Sequence, residues 1–165
     1  VPVDVHFKHH QYARQVGPTV RRFHGTSCGS NCDSVLRLMG AAPCREDTCN
    51  ICSICQHGFK IGTESRRYGK GVYFSSESKK ANAYAFGTEK VRSGDGKALR
   101  CIIVADVAVG RAYTTRGTGF DHSAYPPPGY DAVIGEVGEG LTSDELVVYS
   151  EEAALPSYLV VYALP

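Results

Sequence analysis

The chain has 165 residues, 42% hydrophobic and 21% charged, with a formal net charge of +1 at pH 7. That is room for one domain with a real core, and an ordinary globular composition. The near-neutral balance gives no strong electrostatic case for nucleic acid as the main partner, and no apolar run reaches the length of a membrane-spanning helix.

The chain opens on Val1 with no signal-peptide pattern behind it, which reads as an excised domain or a processed chain. Apolar residues recur among polar ones over 3–16, so a helix is expected there, broken by Gly17-Pro18. Residues 20–23 read as a strand running into His24-Gly25-Thr26. Residues 28–49 have loop composition, with a short apolar patch at 35–39, and such a length needs something to hold it. A short helix over 50–57 is expected to stop at Gly58. A polar loop, 62–68, leads to Gly69-Lys70-Gly71 and a strand at 72–74. A helix over 76–86 has Glu77 early and Gly87 as its stop, and a long central strand follows at 99–109. A loop at 115–129 contains Pro126-Pro127-Pro128, read as a stiff connection. Three more strands are expected at 132–134, 145–149 and 158–164. Helices early and strands late argue for an α+β fold without internal repeats.

Seven cysteines are present, six of them from Cys28 to Cys55. An odd, clustered count fits metal better than a complete disulfide set. Two-residue spacing lets neighbouring thiolates share one ion, and four thiolates suit tetrahedral zinc. Disulfides in a secreted protein, or scattered core thiols, are the alternatives. Cys101 sits alone in an apolar strand and reads as a small core residue. His6, His9 and His10 read as a solvated helix face, and His57 suits a helix C-terminus. His122, in the loop before the prolines, is a remote candidate for a functional site. Asp131 and Glu136 border a strand and read as solvated, while Gly135 beside them could mark close approach to a nucleotide ligand.

Each polar motif, taken alone, is compatible with an ordinary turn. Phe23-His24-Gly25-Thr26 could end any strand, the glycines before Val72-Tyr73-Phe74 could admit a ligand or a neighbouring strand, and Glu145 could be a solvated strand opener. Their order is the stronger signal: Phe23-His24-Gly25-Thr26, then Tyr68-Gly69-Lys70-Gly71-Val72-Tyr73-Phe74-Ser75, then Asp144-Glu145-Leu146-Val147-Val148-Tyr149, then Tyr158-Leu159-Val160-Val161. This series resembles the catalytic domain of the poly(ADP-ribose) polymerase family, the diphtheria-toxin-like ADP-ribosyltransferases with a His-Tyr-Glu triad, from about Arg22 to Leu164.

The resemblance implies a single catalytic domain over 1–165 with a Cys-rich insert at 28–55. Its fold would be a split, mostly antiparallel sheet with short helices around an NAD⁺ cleft. His24, Tyr73 and Glu145 would be catalytic. His24 would bind a ribose hydroxyl and the Gly25 backbone the carboxamide, with Thr26 beside them. Tyr73 and Tyr84 would line the nicotinamide, Lys80 would lie on the acceptor side, and Glu145 would bind the ribose 2′-hydroxyl and polarise the acceptor. Ala81 stands where many members carry a carboxamide-binding serine, with Ser78 as a nearby hydroxyl, and the 62–68 loop is short, implying an open site. Loss of the glycosidic bond builds oxocarbenium-like charge, which a fixed carboxylate stabilises, and aromatic rings grip a flat cation.

The Cys stretch is similar to a subgroup of these domains, found in fungi and plants, with a Cys-rich insert after His-Gly-Thr. On that pattern Cys32, Cys44, Cys49 and Cys52 would hold a structural Zn²⁺, Cys55 would face the core, and Cys28 could replace Cys32. The implied activity is transfer of ADP-ribose, with mono-transfer favoured, from NAD⁺ to a macromolecular acceptor. A protein acceptor is preferred over a nucleic acid, and the chain is expected to act as a monomer away from membranes. The alternatives are an NAD⁺ glycohydrolase and a non-catalytic nucleotide-binding module. Zinc-bound, reduced thiols would suit cytoplasm or nucleus, with secretion left open.

Overall fold

A computed structural model describes residues 1–29, 32, 42–44, 46–86, 93–116, 126–138 and 140–164. The expected apolar patch at 35–39, the helix stop at Gly87 and His122 lie outside these residues. Helix α1 (Val3–Val16) ends where Gly17 takes a φ of 125° and its amide bonds the Ala13 carbonyl at 2.9 Å. Helix α2 (Asn50–His57) ends in the same way at Gly58, φ 77°, and buries Ile51, Cys52 and Ile54. Helix α3 (Ser78–Ala83) is shorter than the 76–86 expected. The Tyr84 and Ala85 amides reach back three residues, to Ala81 and Asn82, and close the helix as a tight turn.

The strands form two sheets. The first is antiparallel throughout, in the order β1 (Thr19–His24), β3 (Leu99–Ala108), β7 (Ala154–Ala163). The second has the order β2 (Val72–Phe74), β6 (Glu145–Val148), β5 (Ala132–Gly135), β4 (Ala112–Thr115), with only the β4–β5 pair parallel. The α+β architecture with mostly antiparallel sheets is therefore present. Two strands differ from expectation. Strand β4 falls on residues whose Thr-rich end reads as loop. Strand β7 starts four residues earlier than expected and runs through Pro156, at the register shift opposite Val104/Ala105. Proline has no amide to donate, so it sits on this edge strand at an irregularity.

Alternation divides the second sheet into two faces. Val72, Phe74, Ala132, Leu146 and Val148 join the main core with Cys101, Ile103, Ala105 and Val107 of β3 and Ile51 and Ile54 of α2. The opposite face carries Tyr73, Val133 and Val147 around the fully buried Tyr68. Helix α3 packs Ala81 on Ile102, on the far side of the first sheet. No helix among the described residues is long and apolar enough to cross a membrane.

The N-terminal histidines are not one solvated face. His6 and His10 are exposed, but His9 is only 3% exposed and its Nδ1 donates to the Glu152 carbonyl at 2.9 Å. A 3-10 turn at Glu151–Ala153 thereby receives α1. Asp131 and Glu136 are also engaged: Asp131 accepts the Arg111 amide at 2.8 Å, and Glu136 pairs with Arg116 at 2.7 Å.

Burial pushes the His9 pKa below 6.5, with the Glu152 carbonyl only partly offsetting it. The unfolded chain then binds more protons than the folded one just below pH 6.5, so stability falls as pH drops through that range. The melting temperature is expected to decline by a few degrees between pH 7 and pH 5. His9→Gln, which keeps a donor and cannot titrate, should flatten part of that decline in thermal denaturation followed by circular dichroism.

Candidate active site

Among the described residues the two sheets are joined by one backbone bridge. Phe23 of β1 and Ser75, just after β2, exchange hydrogen bonds of 2.9 and 3.0 Å. The next residue, His24, is thereby set against β2, and its Nδ1 lies 2.8 Å from the Tyr73 carbonyl oxygen. A carbonyl only accepts, so Nδ1 carries the proton, and a neutral ring leaves Nε2 as an acceptor. Neutrality is favoured: burial lowers the His24 pKa, the Tyr73 carbonyl opposes this, and the nearby Arg66 charge lowers it further. Phe59 packs edge-on against the imidazole at 5.2 Å.

Tyr73 has its hydroxyl committed. It accepts the Tyr68 amide at 2.9 Å and donates to the Gly69 carbonyl at 2.8 Å, so the cleft receives the ring. Burial pushes its phenol up to about 12, with the Tyr68 amide opposing and the Glu145 charge adding. The Arg66 guanidinium lies 6.0 Å from the Tyr73 ring centroid. The glycines nearby serve packing. A Cβ on Gly71 would come within 2.6 Å of Val147 Cγ1 and 2.8 Å of the Val148 oxygen, so the bare backbone lets β6 approach. A Cβ on Gly25 would overlap the Ala81 carbonyl, so that glycine admits α3.

Glu145 opens β6. Its Oε1 accepts Lys80 Nζ at 2.6 Å, in a pair whose side chains are 17% and 13% exposed for Lys80 and Glu145. Lys80 also donates to the Ser143 carbonyl at 3.3 Å, which ties α3 to the strand. Glu145 Oε2 is buried and has no hydrogen-bond partner among the described residues. The preceding residue is a latch that sequence reading missed. Asp144 accepts the Ser75 hydroxyl, the Ser76 amide and the Ser76 hydroxyl at 2.8–2.9 Å. Burial would raise its carboxyl, but the Ser76 and Ser75 donors outweigh that and hold it below the usual range.

His24, Gly25, Tyr73, Lys80, Ala81, Tyr84 and Glu145 line one cavity of about 260 Å³. Thr26 lines an adjoining cavity of about 620 Å³, shared with His24 and Tyr73 and bounded by Gly62, Thr63 and Glu64 of the short loop. A third opening, beyond Glu145, is lined by Arg67, Lys79, Lys80, Tyr84 and Ser143. Arg66 and Arg67 were not singled out by sequence, since loop arginines carry no distinguishing pattern. Ala81 is buried at 3% exposure and offers no donor. Ser78 is exposed and lines none of the three cavities. Ser75 does line the first, but its hydroxyl is bound to Asp144. Such a cleft, with one neutral imidazole, aromatic rings and a fixed carboxylate, suits a flat cationic ring on a polyhydroxylated sugar.

The Cys-rich stretch brings together the sulfurs of Cys32, Cys44, Cys49 and Cys52, all within 4.8 Å of one another. Cys32 and Cys52 are 3.4 Å apart, and the Cys44 amide donates to the Cys52 sulfur at 3.3 Å. Sulfurs around tetrahedral zinc are about 3.8 Å apart, given Zn–S near 2.3 Å, so the donor set fits a metal of that kind. Burial raises the Cys49 thiol, but backbone hydrogen bonds from its neighbours outweigh this and bring it to about 7. Cys28 lies outside the four, although its sulfur is 3.7 Å from that of Cys49. Cys55 is half-buried and apart from them.

Residues 47–164 match the family model of the poly(ADP-ribose) polymerase catalytic domain. That match takes in Tyr73 and Glu145, and His24 precedes it. The chain is similar to protein mono-ADP-ribosyltransferase PARP4 of Mus musculus, 30% identical over 108 residues, covering 62% of this chain and 5% of the relative. Against the Homo sapiens protein of the same name, identity is 27% over 108 residues, covering 62% and 6%. The chain thus spans only about a twentieth of these relatives.

Gly25→Ala tests the packing of the cleft floor. The added methyl meets backbone, which cannot swing aside, so unfolding in denaturant is expected to show a loss of about 1–3 kcal/mol. A neutral result would mean that α3 sits further from β1.

Proposed function

The chain belongs to the poly(ADP-ribose) polymerase catalytic-domain family, and from that premise we propose that it transfers single ADP-ribose units from NAD⁺ to a protein acceptor. The observation that carries this is the placement of the Glu145 carboxylate, anchored on Lys80, in one cleft with His24 and Tyr73. NAD⁺ would bind with its nicotinamide against the Tyr73 ring, with the exposed Tyr84 ring opposite. His24 Nε2 would accept from a ribose hydroxyl, and Glu145 from the 2′-hydroxyl. The C1′–N bond breaks with its electron pair going to nicotinamide, which leaves neutral. The ribose ring becomes cationic, and the fixed carboxylate stabilises that charge more than it stabilises the ground state. A hydroxyl oxygen of the acceptor then bonds to C1′ while Glu145, which polarises its O–H, takes the proton and passes it to solvent. The opening beyond Glu145, rimmed by Arg67 and Lys79, is the side from which the acceptor would approach.

Zinc is the second part of the reading. Cys32, Cys44, Cys49 and Cys52 would hold one Zn²⁺ as thiolates, leaving no open coordination position, so the ion would be structural. It would clamp the long segment before α2, whose Asn50, Ser53 and Ile54 line the cavity next to the nicotinamide cleft. Purified protein is expected to carry about one zinc per chain by elemental analysis. Cys52→Ser should lose most of it and melt at least several degrees lower. Metal-free protein that melts as the wild type does would remove the zinc reading.

Nicotinamide release and labelled ADP-ribose on protein, measured together for wild type and Glu145→Gln, test the activity. Wild type should release nicotinamide and label protein, and the variant should be slower by about 10²–10³-fold. Free ADP-ribose alone would make the chain a glycohydrolase. No nicotinamide at all would make it a binder.

A further inference from the structure

Tyr68 is the largest fully buried side chain among the described residues and packs with Tyr73, Val133 and Val147. Its backbone is clamped on both sides. Tyr73 Oη accepts its amide at 2.9 Å, and Tyr149 Oη donates to its carbonyl at 2.7 Å. Its phenol ends at Gly135, where a Cβ would overlap the hydroxyl oxygen and come within 2.8 Å of two ring carbons. The glycine is therefore there for Tyr68, and not for approach of a nucleotide.

Gly135 is the direct antiparallel partner of Glu145. Side chains of such partners leave the same face, with Cβ positions about 5 Å apart. The phenol oxygen thus occupies the position that the neighbour of Glu145 would otherwise fill, on the face from which the carboxylate rises. Lys80 occupies Oε1 of that carboxylate, while Oε2 is buried without a hydrogen-bond partner among the described residues. A carboxylate oxygen in such a place needs a donor. The surroundings agree: burial raises the Tyr68 phenol, the Glu145 charge raises it further, and Arg67 beside it partly opposes them.

We propose that Tyr68 is a positioning residue for Glu145, its hydroxyl becoming the donor to Oε2 when the carboxylate turns toward the space left by Gly135. With Lys80 on one oxygen and Tyr68 on the other, the carboxylate would be held in one rotamer during the reaction. Fixed orientation of the charge, rather than its presence alone, sets its value in the transition state. This inference rests on the role given above to Glu145.

Tyr68→Phe removes the hydroxyl and keeps the ring, and the Tyr73 and Tyr149 contacts to its backbone are untouched. In steady-state nicotinamide release, kcat is expected to fall about tenfold, with KM for NAD⁺ changed less than twofold. In the Glu145→Gln background the same substitution should have no further effect. Unchanged kcat in Tyr68→Phe, a loss confined to KM, or a loss that adds in full to that of Glu145→Gln would each overturn the proposal. A second measurement needs no activity. With ¹³Cζ-labelled tyrosine, assigned through Tyr68→Phe, the Tyr68 phenol should ionise at lower pH in Glu145→Gln than in wild type. An unchanged titration would overturn the proposal. A wild type that releases no nicotinamide would instead sink the transferase reading, and the NMR titration would still decide whether the phenol and the carboxylate interact.

Discussion

The site depends on one pair of hydrogen bonds, those between Phe23 and Ser75 that, among the described residues, join the ladders of the two sheets. His24 belongs to the first sheet, and Tyr73 and Glu145 belong to the second. Without the bridge nothing in either ladder would hold the imidazole against the Tyr73 carbonyl. The bridge is supported from both ends. Asp144 gathers the Ser75 hydroxyl and both donors of Ser76, and Gly25 lets α3 close over the end of β1. Lys80, presented by α3, then reaches back to Glu145. The loop formed by these contacts runs β1, β2, β6, α3 and back to β1.

Both faces of the second sheet bury apolar residues, and strand alternation puts Tyr73 and Glu145 on the face turned away from the main core. Phe74 and Leu146 face the core, and Tyr73 and Glu145 face away from it. A slip of one residue in the β2–β6 register would send the catalytic candidates into the core. Two glycines make room for this packing: Gly71, just before β2, admits the β6 backbone, and Gly135, on β5, admits the Tyr68 phenol.

Much of this was readable in the sequence, for physical reasons that differ by element. The stops at Gly17 and Gly58 are visible because a positive φ favours glycine. Strand β3 is visible as an apolar run. Strand β4 was not, because Ala112–Thr115 is short and its ladder partner, β5, runs parallel to it. The start of β7 was hidden by Pro156, which reads as a break until the bulge opposite it is seen. His9 was misread because a histidine on a polar helix gives no sign that a carbonyl waits 143 residues away. The triad candidates stood out by their order along the chain. The Lys80–Glu145 pair, the Asp144 latch and the Tyr68–Gly135 contact did not, since each joins residues that only the fold makes neighbours.

The measurement that bears most directly on the proposed site is a crystal structure of the chain with an NAD⁺ analogue whose glycosidic bond cannot break. The expected result places the nicotinamide between Tyr73 and Tyr84, one ribose hydroxyl on His24 Nε2 and the 2′-hydroxyl on Glu145. An analogue bound outside this cleft, or one in it with neither ribose hydroxyl touching His24 or Glu145, would contradict the proposal.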